Sequence, residues 1–450
     1  MIGARIEIRA VLRTLTPLHI GSGVHAGDNA RETEATVAMV QTDASGLPCI
    51  PGSSLKGVAR RMGVKSAALF GPDRKEAVQR ARLGDAEPRS GRVIFRTALF
   101  REAGPAPLDD IYDNKCKVSS GETGESDLTY RNAGLFTEAR TAIDDETGVA
   151  EGGRLFKSEI VRPDTTFDFC LIADAALAGD ERTNLRSLLS EMADATGFGL
   201  GKGTRQSKGR VRLCPETLVV TEITPGAPTR VVTQDWTVST ERSNAPQIDA
   251  KTYVLGFMTL SPFLIADPGR SPDDSQTAPQ ISGLRDLKTG GPTLTGSTLL
   301  GALRAQSAYM EALSPFHRSD DKDAVHDKGP DASNLTITQR LFGITGWRGR
   351  VGLRAIRLKN DPQKQTIMSV RLDRFSVSPV DNALFGTEAW VAPEFEVELE
   401  LDQRGLLPDD TAFFEAVLKQ IADDVWGGLR LGLGKNKGFG AFTVQEIAHE

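Results

Sequence analysis

Two glycine-rich basic segments are the parts of this 450-residue chain best suited to chemistry. They begin Gly199-Leu-Gly-Lys-Gly-Thr-Arg-Gln-Ser-Lys-Gly and Gly432-Leu-Gly-Lys-Asn-Lys-Gly-Phe-Gly. Glycine lets a backbone approach a phosphate closely, and nearby cations neutralise the phosphate charge. The candidate phosphate contacts are therefore Lys202, Arg205 and Lys208 in the first segment, and Lys435 and Lys437 in the second.

Neither segment has the sequence of a nucleotide-binding loop. A P-loop requires Gly-Lys followed by Ser or Thr, but Gly203 and Asn436 follow the two lysines. A dinucleotide-binding loop opens a helix after a strand, whereas each segment follows a helix-like stretch and precedes a strand-like one. An ordinary solvated glycine turn is the remaining alternative, and the recurrence of the pattern argues against it.

Composition limits the kinds of partner. A formal net charge of -6 excludes a global basic field, so any binding to nucleic acid must be local. The cysteines Cys49, Cys116, Cys170 and Cys214 have no paired spacing, which argues against disulfides and zinc knuckles and leaves carboxylates as metal ligands. No signal-peptide pattern or membrane-spanning apolar run is evident, which predicts a cytoplasmic protein without a membrane partner.

The chain contains an internal repeat. The strand-like residues 6–18 match residues 253–263, and Gly52-Ser-Ser-Leu-Lys-Gly matches Gly296-Ser-Thr-Leu-Leu-Gly. The hydroxyl residue of each Gly-Ser motif predicts a helix N-cap, with an apolar face starting one residue later. Spacing differences predict loop inserts near residues 101–130 and 314–334.

The order of elements predicts the domains. Each half has a strand, a helix, a strand, a hairpin-like excursion, a strand, a helix, a glycine loop and a final strand, which is typical of an α+β ferredoxin-like unit. Prolines between the halves indicate a linker. The predicted domains are residues 1–218 and 251–450, with the linker at 219–250.

Four ordered motifs in the first half resemble the RAMP superfamily. They are Leu18-His-Ile-Gly-Ser-Gly, Ile50-Pro-Gly-Ser-Ser-Leu-Lys-Gly, the Ala142-Ile-Asp segment and the first glycine-rich segment. The chain is most similar to the backbone subunits of type III CRISPR effector complexes, as a tandem fusion. The resemblance implies two ferredoxin-like, RNA-recognition-type RAMP domains with thumb hairpin insertions.

The resemblance implies guide RNA, target RNA and other effector subunits as partners. Guide contacts would come from two helices and both glycine segments, with Leu300 standing where the first half has Lys56. The helix residues are Ser53, Ser54, Lys56 and Arg60 in the first half, and Ser297, Thr298 and Arg304 in the second. Phe198 and Phe439 are candidates for base stacking.

The resemblance also implies thumb residues that wedge between bases, and loop acids that cleave the target. Ile143 with Asp144, and Leu372 with Asp373, are the thumb candidates. The acids are Asp28 and Glu34 in the first half, and Asp267, Asp273 and Asp274 in the second. They imply a magnesium- or manganese-dependent endoribonuclease, with Asp273 or Asp274 more important than Asp28. A non-catalytic filament subunit and a guide-precursor RNase, for which the first loop offers His25, remain the alternatives.

Overall fold

The structure is a computed structural model. It describes residues 4–26, 37–62, 67–71, 91–105, 134–143, 150–177, 179–239, 250–267, 280–286, 289–313, 332–424 and 428–449. The two predicted loop inserts lie mostly outside these ranges.

The first half contains a ferredoxin-like sheet. Its strands are β1 (Arg5–Thr14), β2 (Gly21–Ala26), β3 (Val37–Val40), β4 (Val93–Phe95), β5 (Leu99–Glu102), β6 (Leu135–Ile143), β7 (Ala150–Val161), β8 (Thr166–Asp174), β9 (Phe198–Gly199), β10 (Arg210–Ile223) and β11 (Arg230–Val231). The helices are α1 (Gly52–Ala59), α2 (Ala67–Phe70) and α3 (Gly179–Ala193). The strand order β10-β1-β8-β4, with antiparallel neighbours, is that of a ferredoxin-like unit.

The second half repeats this arrangement. Its strands are β12 (Ala250–Met258), β13 (Gln280–Ile281), β14 (Val351–Leu358), β15 (Lys364–Leu372), β16 (Pro379–Trp390), β17 (Glu394–Asp402), β18 (Leu429–Arg430) and β19 (Ala441–His449). The helices are α4 (Gly296–Leu313), α5 (Ile337–Phe342) and α6 (Pro408–Asp423). The order β14-β17-β12-β19 matches the first sheet strand for strand. The predicted α+β fold of two ferredoxin-like units is confirmed.

Each half also carries a long antiparallel hairpin outside the main sheet. These thumb hairpins are β6–β7 and β15–β16, and each forms a small sheet with short strands of its own half. An isolated bridge ties Leu18 to Val161 in the first half, and the equivalent bridge joins Phe263 to Trp390. The bases of the two hairpins are therefore attached at matched positions.

Amphipathic helices cover the two sheets and form separate cores. In α3, which packs on β10, Leu185, Leu188 and Leu189 are buried at helical spacing in the same core as the alternating apolar residues of β1. In the second core, Phe263 packs edge-on against Phe442, with 5.2 Å between ring centroids. Burial of these faces stabilises each half by the hydrophobic effect.

Some local details differ from the sequence predictions. Helix α1 begins at Gly52 with Pro51 at the N-cap, so the predicted capping serine lies inside the first turn. In the second half, the Thr295 hydroxyl accepts a hydrogen bond from the Thr298 amide and caps α4. The predicted linker is partly structured, because β10 crosses the proposed boundary at residue 218 and the side chain of Trp236 is buried in the first core.

Candidate nucleic-acid interface

The two glycine loops, residues 201–209 and 432–440, have the same backbone geometry. The amides of Lys202 and Leu433 donate to the carbonyls of His19 and Leu264, in each case at 2.9 Å. The positive φ angles fall at matched positions, 201, 203, 207 and 209 in one loop and 432, 434, 438 and 440 in the other. Gly432 therefore corresponds to Gly201. Both segments start with Gly-Leu-Gly-Lys, which aligns Gly432 with Gly199 in sequence. That alignment was wrong by two residues, because the glycines are similarly spaced in both registers.

A cavity of about 300 Å³ lies between the first glycine loop and the thumb hairpin β6–β7. We call it the first cleft, and it is lined by His19, Glu138, Arg140, Phe156, Ser158, Ile160, Lys202, Gly203 and Lys208. One carboxylate faces three cationic side chains there, so the cleft is net positive. An aromatic face and a positive field together suit a nucleotide.

Glu138 organises the cations of the first cleft. Its carboxylate forms an ion pair with Lys208 and accepts hydrogen bonds from Arg140 Nε at 2.8 Å and Nη2 at 2.7 Å. Burial alone would raise the pKa of Glu138, but the charges and hydrogen bonds of Lys208 and Arg140 outweigh burial and lower it. Lys208 and Arg140 are thus held by the protein, whereas the Lys202 side chain is exposed to solvent.

His19 was not among the predicted site residues, although its motif was recognised. Its side chain is buried, and Nδ1 donates to the Glu159 carbonyl oxygen at 2.7 Å. The other ring nitrogen, Nε2, is therefore an acceptor when the ring is neutral. A Cβ at position 21 would lie 3.2 Å from Nε2, so Gly21 keeps this nitrogen accessible. Only tertiary structure joins His19 to the thumb and the glycine loop.

Several polar positions in the lining of the first cleft are occupied by apolar residues in the second half. The shared loop geometry places Leu264 where the first half has His19, Leu433 where it has Lys202, and Phe439 where it has Lys208. The registers of the two hairpins likewise show that Ile367 is the residue of the second half equivalent to Glu138. The lysines of the second glycine loop, Lys435 and Lys437, are both exposed. The Lys437 ammonium lies 5.2 Å above the Phe385 ring.

The predicted guide contacts on α1 differ in their environments. Ser53 is exposed, whereas Ser54 and Lys56 are half-buried. Burial, followed by repulsion from Arg60, lowers the pKa of Lys56. The Arg60 guanidinium donates to the backbone carbonyls of Phe70 and Gly71. Ser53 and Lys56 therefore retain the clearest access to an external ligand on this helix.

On α4, the hydroxyls of Ser297 and Thr298 lie 3.2 Å and 2.8 Å from that of Thr295. Arg304 donates to the Gly343 carbonyl at 3.3 Å. Leu300 packs against the second core, so this position offers an apolar side chain in place of the lysine of the first half. The α4 segment is thus less cationic than its counterpart.

Arg205 and Phe198 are directed into the protein. Arg205 Nε donates to the Val351 carbonyl at 2.8 Å and Nη1 to the Phe342 carbonyl at 3.2 Å, both in the second half. Burial, with repulsion from Arg348 and Arg350, lowers the pKa of Arg205 to about 10. Phe198 lies in the first core, so it does not offer a stacking face. Phe439 is half-buried.

The second thumb ends in an ordered turn. The Asp373 carboxylate accepts hydrogen bonds from the amides of Phe375 at 2.9 Å and Ser376 at 2.8 Å, and these bonds lower its pKa. The turn presents Phe375, which is 91% exposed, whereas Leu372 is 49% exposed. Sequence reasoning missed Phe375, although an aromatic residue beside an Asp-x-x-Ser turn was a usable signal. In the first thumb, Ile143 pairs with Ala150, and Asp144 lies outside the described residues.

Four of the five candidate catalytic acids, Asp28, Glu34, Asp273 and Asp274, lie outside the described residues, as does the side chain of His25. Asp267 is described, and its backbone amide donates to the Ser282 carbonyl at 3.1 Å. Within the described ranges, no three His, Cys, Asp or Glu side chains form a metal-ligand group. Carboxylate oxygens do match the ligand preference of Mg²⁺ and Mn²⁺, so the acids have suitable donor chemistry.

The two matching sheets and glycine loops define a duplicated ferredoxin-like protein, and sequence comparison identifies its family. The RAMP superfamily matches residues 11–212 and again residues 257–443. The chain therefore belongs to the RAMP superfamily, with one match in each half. The predicted tandem arrangement is confirmed.

Two curated relatives are both named CRISPR system Cms endoribonuclease Csm3. The Mycobacterium tuberculosis protein is 31% identical over 191 residues, covering 40% of this chain and 69% of the relative. The Enterococcus italicus protein is 24% identical over 232 residues, covering 48% of this chain and 92% of the relative. The predicted resemblance to type III CRISPR backbone subunits is thereby confirmed.

A chain of a solved complex, described as type III-B Cmr-beta bound to cognate target RNA, is also similar. It is 17% identical with a TM-score of 0.33, over 46% of this chain and 96% of that chain.

No helix among the described residues is both long and apolar enough to cross a bilayer.

Proposed function

We propose that this chain is a guide-RNA-binding backbone subunit of a type III CRISPR effector complex. The first cleft is the main observation in its favour, because it joins the glycine loop, the thumb and α/β scaffold into one net positive surface with an aromatic side chain. Lys202 at this cleft, and Lys435 and Lys437 on the second loop, are the exposed cations that would neutralise phosphates. The names of the Csm3 relatives give the RNA assignment independent support.

We further propose that the assembled subunit cleaves RNA complementary to the guide. Loop carboxylates would hold Mg²⁺ or Mn²⁺, with Asp273 and Asp274 as the first candidates and Asp28, Glu34 and Asp267 as the others. A bound divalent ion would stabilise charge on the phosphate. The thumb hairpins would splay the target strand and bring one phosphate close to a loop acid, because positioning supplies much of the rate.

A non-catalytic guide-binding scaffold is the second candidate. The residues of the second half that match His19, Lys202 and Lys208 favour it, since Leu264, Leu433 and Phe439 offer no charged group to a phosphate. The first cleft and the second loop would still hold a guide in such a scaffold. The guide-precursor RNase is the remaining alternative: within the described residues the first cleft contains His19, and the side chain of the predicted His25 lies outside them.

The test is a cleavage assay on the reconstituted complex with labelled complementary RNA, with and without chelator. We expect cleavage that requires divalent metal and is lost in Asp273→Asn or Asp274→Asn more than in Asp28→Asn. Guide binding is measured on the same variants and should be unchanged. Guide binding without cleavage in any metal would establish the scaffold. Loss of guide binding by the wild-type chain would contradict the proposed function itself.

A further inference from the structure

The first glycine loop lies in a groove of the second half. The groove is formed by the outer edge of β14 and the start of α4. Besides the two Arg205 bonds to Val351 and Phe342, the Leu353 amide donates to the Arg205 carbonyl at 2.8 Å. The Ser207 hydroxyl donates to the Arg354 carbonyl at 3.0 Å. Both the side chains and the backbone of the loop therefore recognise the groove.

Two glycines make room for the loop. A Cβ at position 352 would lie 3.9 Å from Arg205 Cα, so any longer side chain there would meet the loop backbone. At the start of α4, Gly296 lies so close to the Gln206 carbonyl that a Cβ would not fit. The loop thus lies between the first residue of α4 and the outer edge of β14.

The first half has the same groove elements, but its own residues close them. The Arg60 guanidinium donates a hydrogen bond to the Phe70 carbonyl. Phe70 corresponds to Phe342, whose carbonyl accepts from Arg205 in the second half. At the matched edge, Gly52 lies directly against the Phe95 carbonyl, so α1 stands against β4 without an intervening loop. Next to Gly52, Ile50 exchanges backbone hydrogen bonds of 2.9 Å and 2.8 Å with Ala98.

Side chains add to this closure. The position of Gly352 is occupied in the first half by Ile94, which is 60% exposed on the same edge. The second glycine loop, in turn, lacks the groups that recognise a groove. It has Asn436 where the first loop has Arg205, and Gly438 where the first has Ser207. Among the described residues, the first half therefore offers no open groove of this kind, and the second loop offers no side chains that match Arg205 and Ser207.

We propose that the loop-in-groove contact is made once, between the two halves of one chain, and is not passed on to a second copy. The chain is then a two-domain unit that does not extend into a chain of copies through this contact. Its first glycine loop is a protein-docking element, and its first half is closed to a docking loop from its own kind. This inference concerns assembly and holds whether or not the chain binds RNA.

Cysteine pairs in the full-length chain test the proposal. Arg205→Cys with Gly352→Cys places two thiols across the filled groove at a separation that suits a disulfide. Ile94→Cys with Asn436→Cys places them at the matched positions that a second copy would bring together. The single variants Ile94→Cys and Asn436→Cys, which retain the native cysteines, are the controls.

Each variant is oxidised at high protein concentration and analysed without reductant. We expect the Arg205/Gly352 pair to lose both engineered thiols while the chain keeps its monomer mass. The Ile94/Asn436 pair should give no more linked dimer than its single-cysteine controls. A ladder of linked chains from the Ile94/Asn436 pair would overturn the proposal. The backbone bond from the Leu353 amide to the carbonyl of residue 205 does not depend on the replaced side chain, so failure of this pair to close within the chain would overturn the docked contact. RNA affinity is not a readout, so failure of the proposed function leaves the test intact.

Discussion

Glu138 shows how one residue controls the charge of the first cleft. Replacement by glutamine would leave Lys208 and Arg140 without their carboxylate partner in a largely buried setting. We expect Glu138→Gln to lower the free energy of unfolding at pH 7 by about 1–3 kcal/mol, because the two cations lose the negative charge that offsets their own. Urea denaturation measures this change, and Glu394→Gln, at an exposed position of β17, is the control.

The same variant has a predictable pH dependence. The folded-state pKa of Glu138 lies below its ordinary value of 4.5, so its ionised form stabilises the fold. That contribution is fully present above the ordinary pKa and is lost as pH falls through the folded-state pKa. The stability difference between wild type and Glu138→Gln should therefore shrink as the pH is lowered from 7 toward 3. A difference that stays constant over this range would contradict the ion-pair assignment.

Phe375 is the residue of the second thumb best placed to meet a base. The Asp373 turn holds it at the tip with its ring in solvent. Stacking on one base contributes about 1–3 kcal/mol, so Phe375→Ala should weaken RNA affinity at least roughly fivefold without changing thermal stability. Leu260→Ala, at a residue that is 94% exposed outside the thumb, is the matched control. Equal RNA affinities for both variants would reject stacking at the tip.

At the scale of elements, the two glycine loops have one backbone shape and different contacts. The first is docked through Arg205 and Ser207, whereas Lys435 and Lys437 on the second are exposed, with the Lys437 ammonium above the Phe385 ring. Alanine replacement of both lysines should weaken RNA binding and reduce the slope of log affinity against log salt by about 0.7 for each phosphate that is no longer neutralised. Lys419→Ala on α6 should leave the slope unchanged. An unaltered slope in the double variant would mean that these lysines are only solvated.

The sequence was sufficient to predict the elements but not their long-range contacts. Alternating strands, the Gly-Ser helix starts and the recurring glycine segments are local patterns, and they predicted both ferredoxin-like units. The register of the second loop was misjudged because only backbone contacts, such as Leu433 to Leu264, distinguish one glycine from the next. The positions of His19 and Arg205 depend on residues more than a hundred positions away.

At the scale of the whole molecule, duplication has produced two halves with different surfaces. The first has a cationic cleft and a closed groove, and the second has apolar residues at several of the matching cleft positions and a filled groove. Fusion allowed this divergence, because the two copies of each element no longer need to make the same contact. The docking of the first loop is a described contact between the two halves.

Arg205 should therefore couple the two halves. Arg205→Ala removes hydrogen bonds from a charged donor to two carbonyls of the second half, while the backbone bond from the Leu353 amide remains available. We expect the free energy of local opening at this edge to fall by about 2 kcal/mol, which is roughly thirtyfold faster exchange of the Leu353 amide. Amides in the centre of the second sheet, between β12 and β17, should keep their protection. Arg205→Lys should resemble alanine, since an ammonium lacks the fork that reaches both carbonyls. Unchanged exchange at Leu353 in both variants would show that the side chain does not hold the halves together.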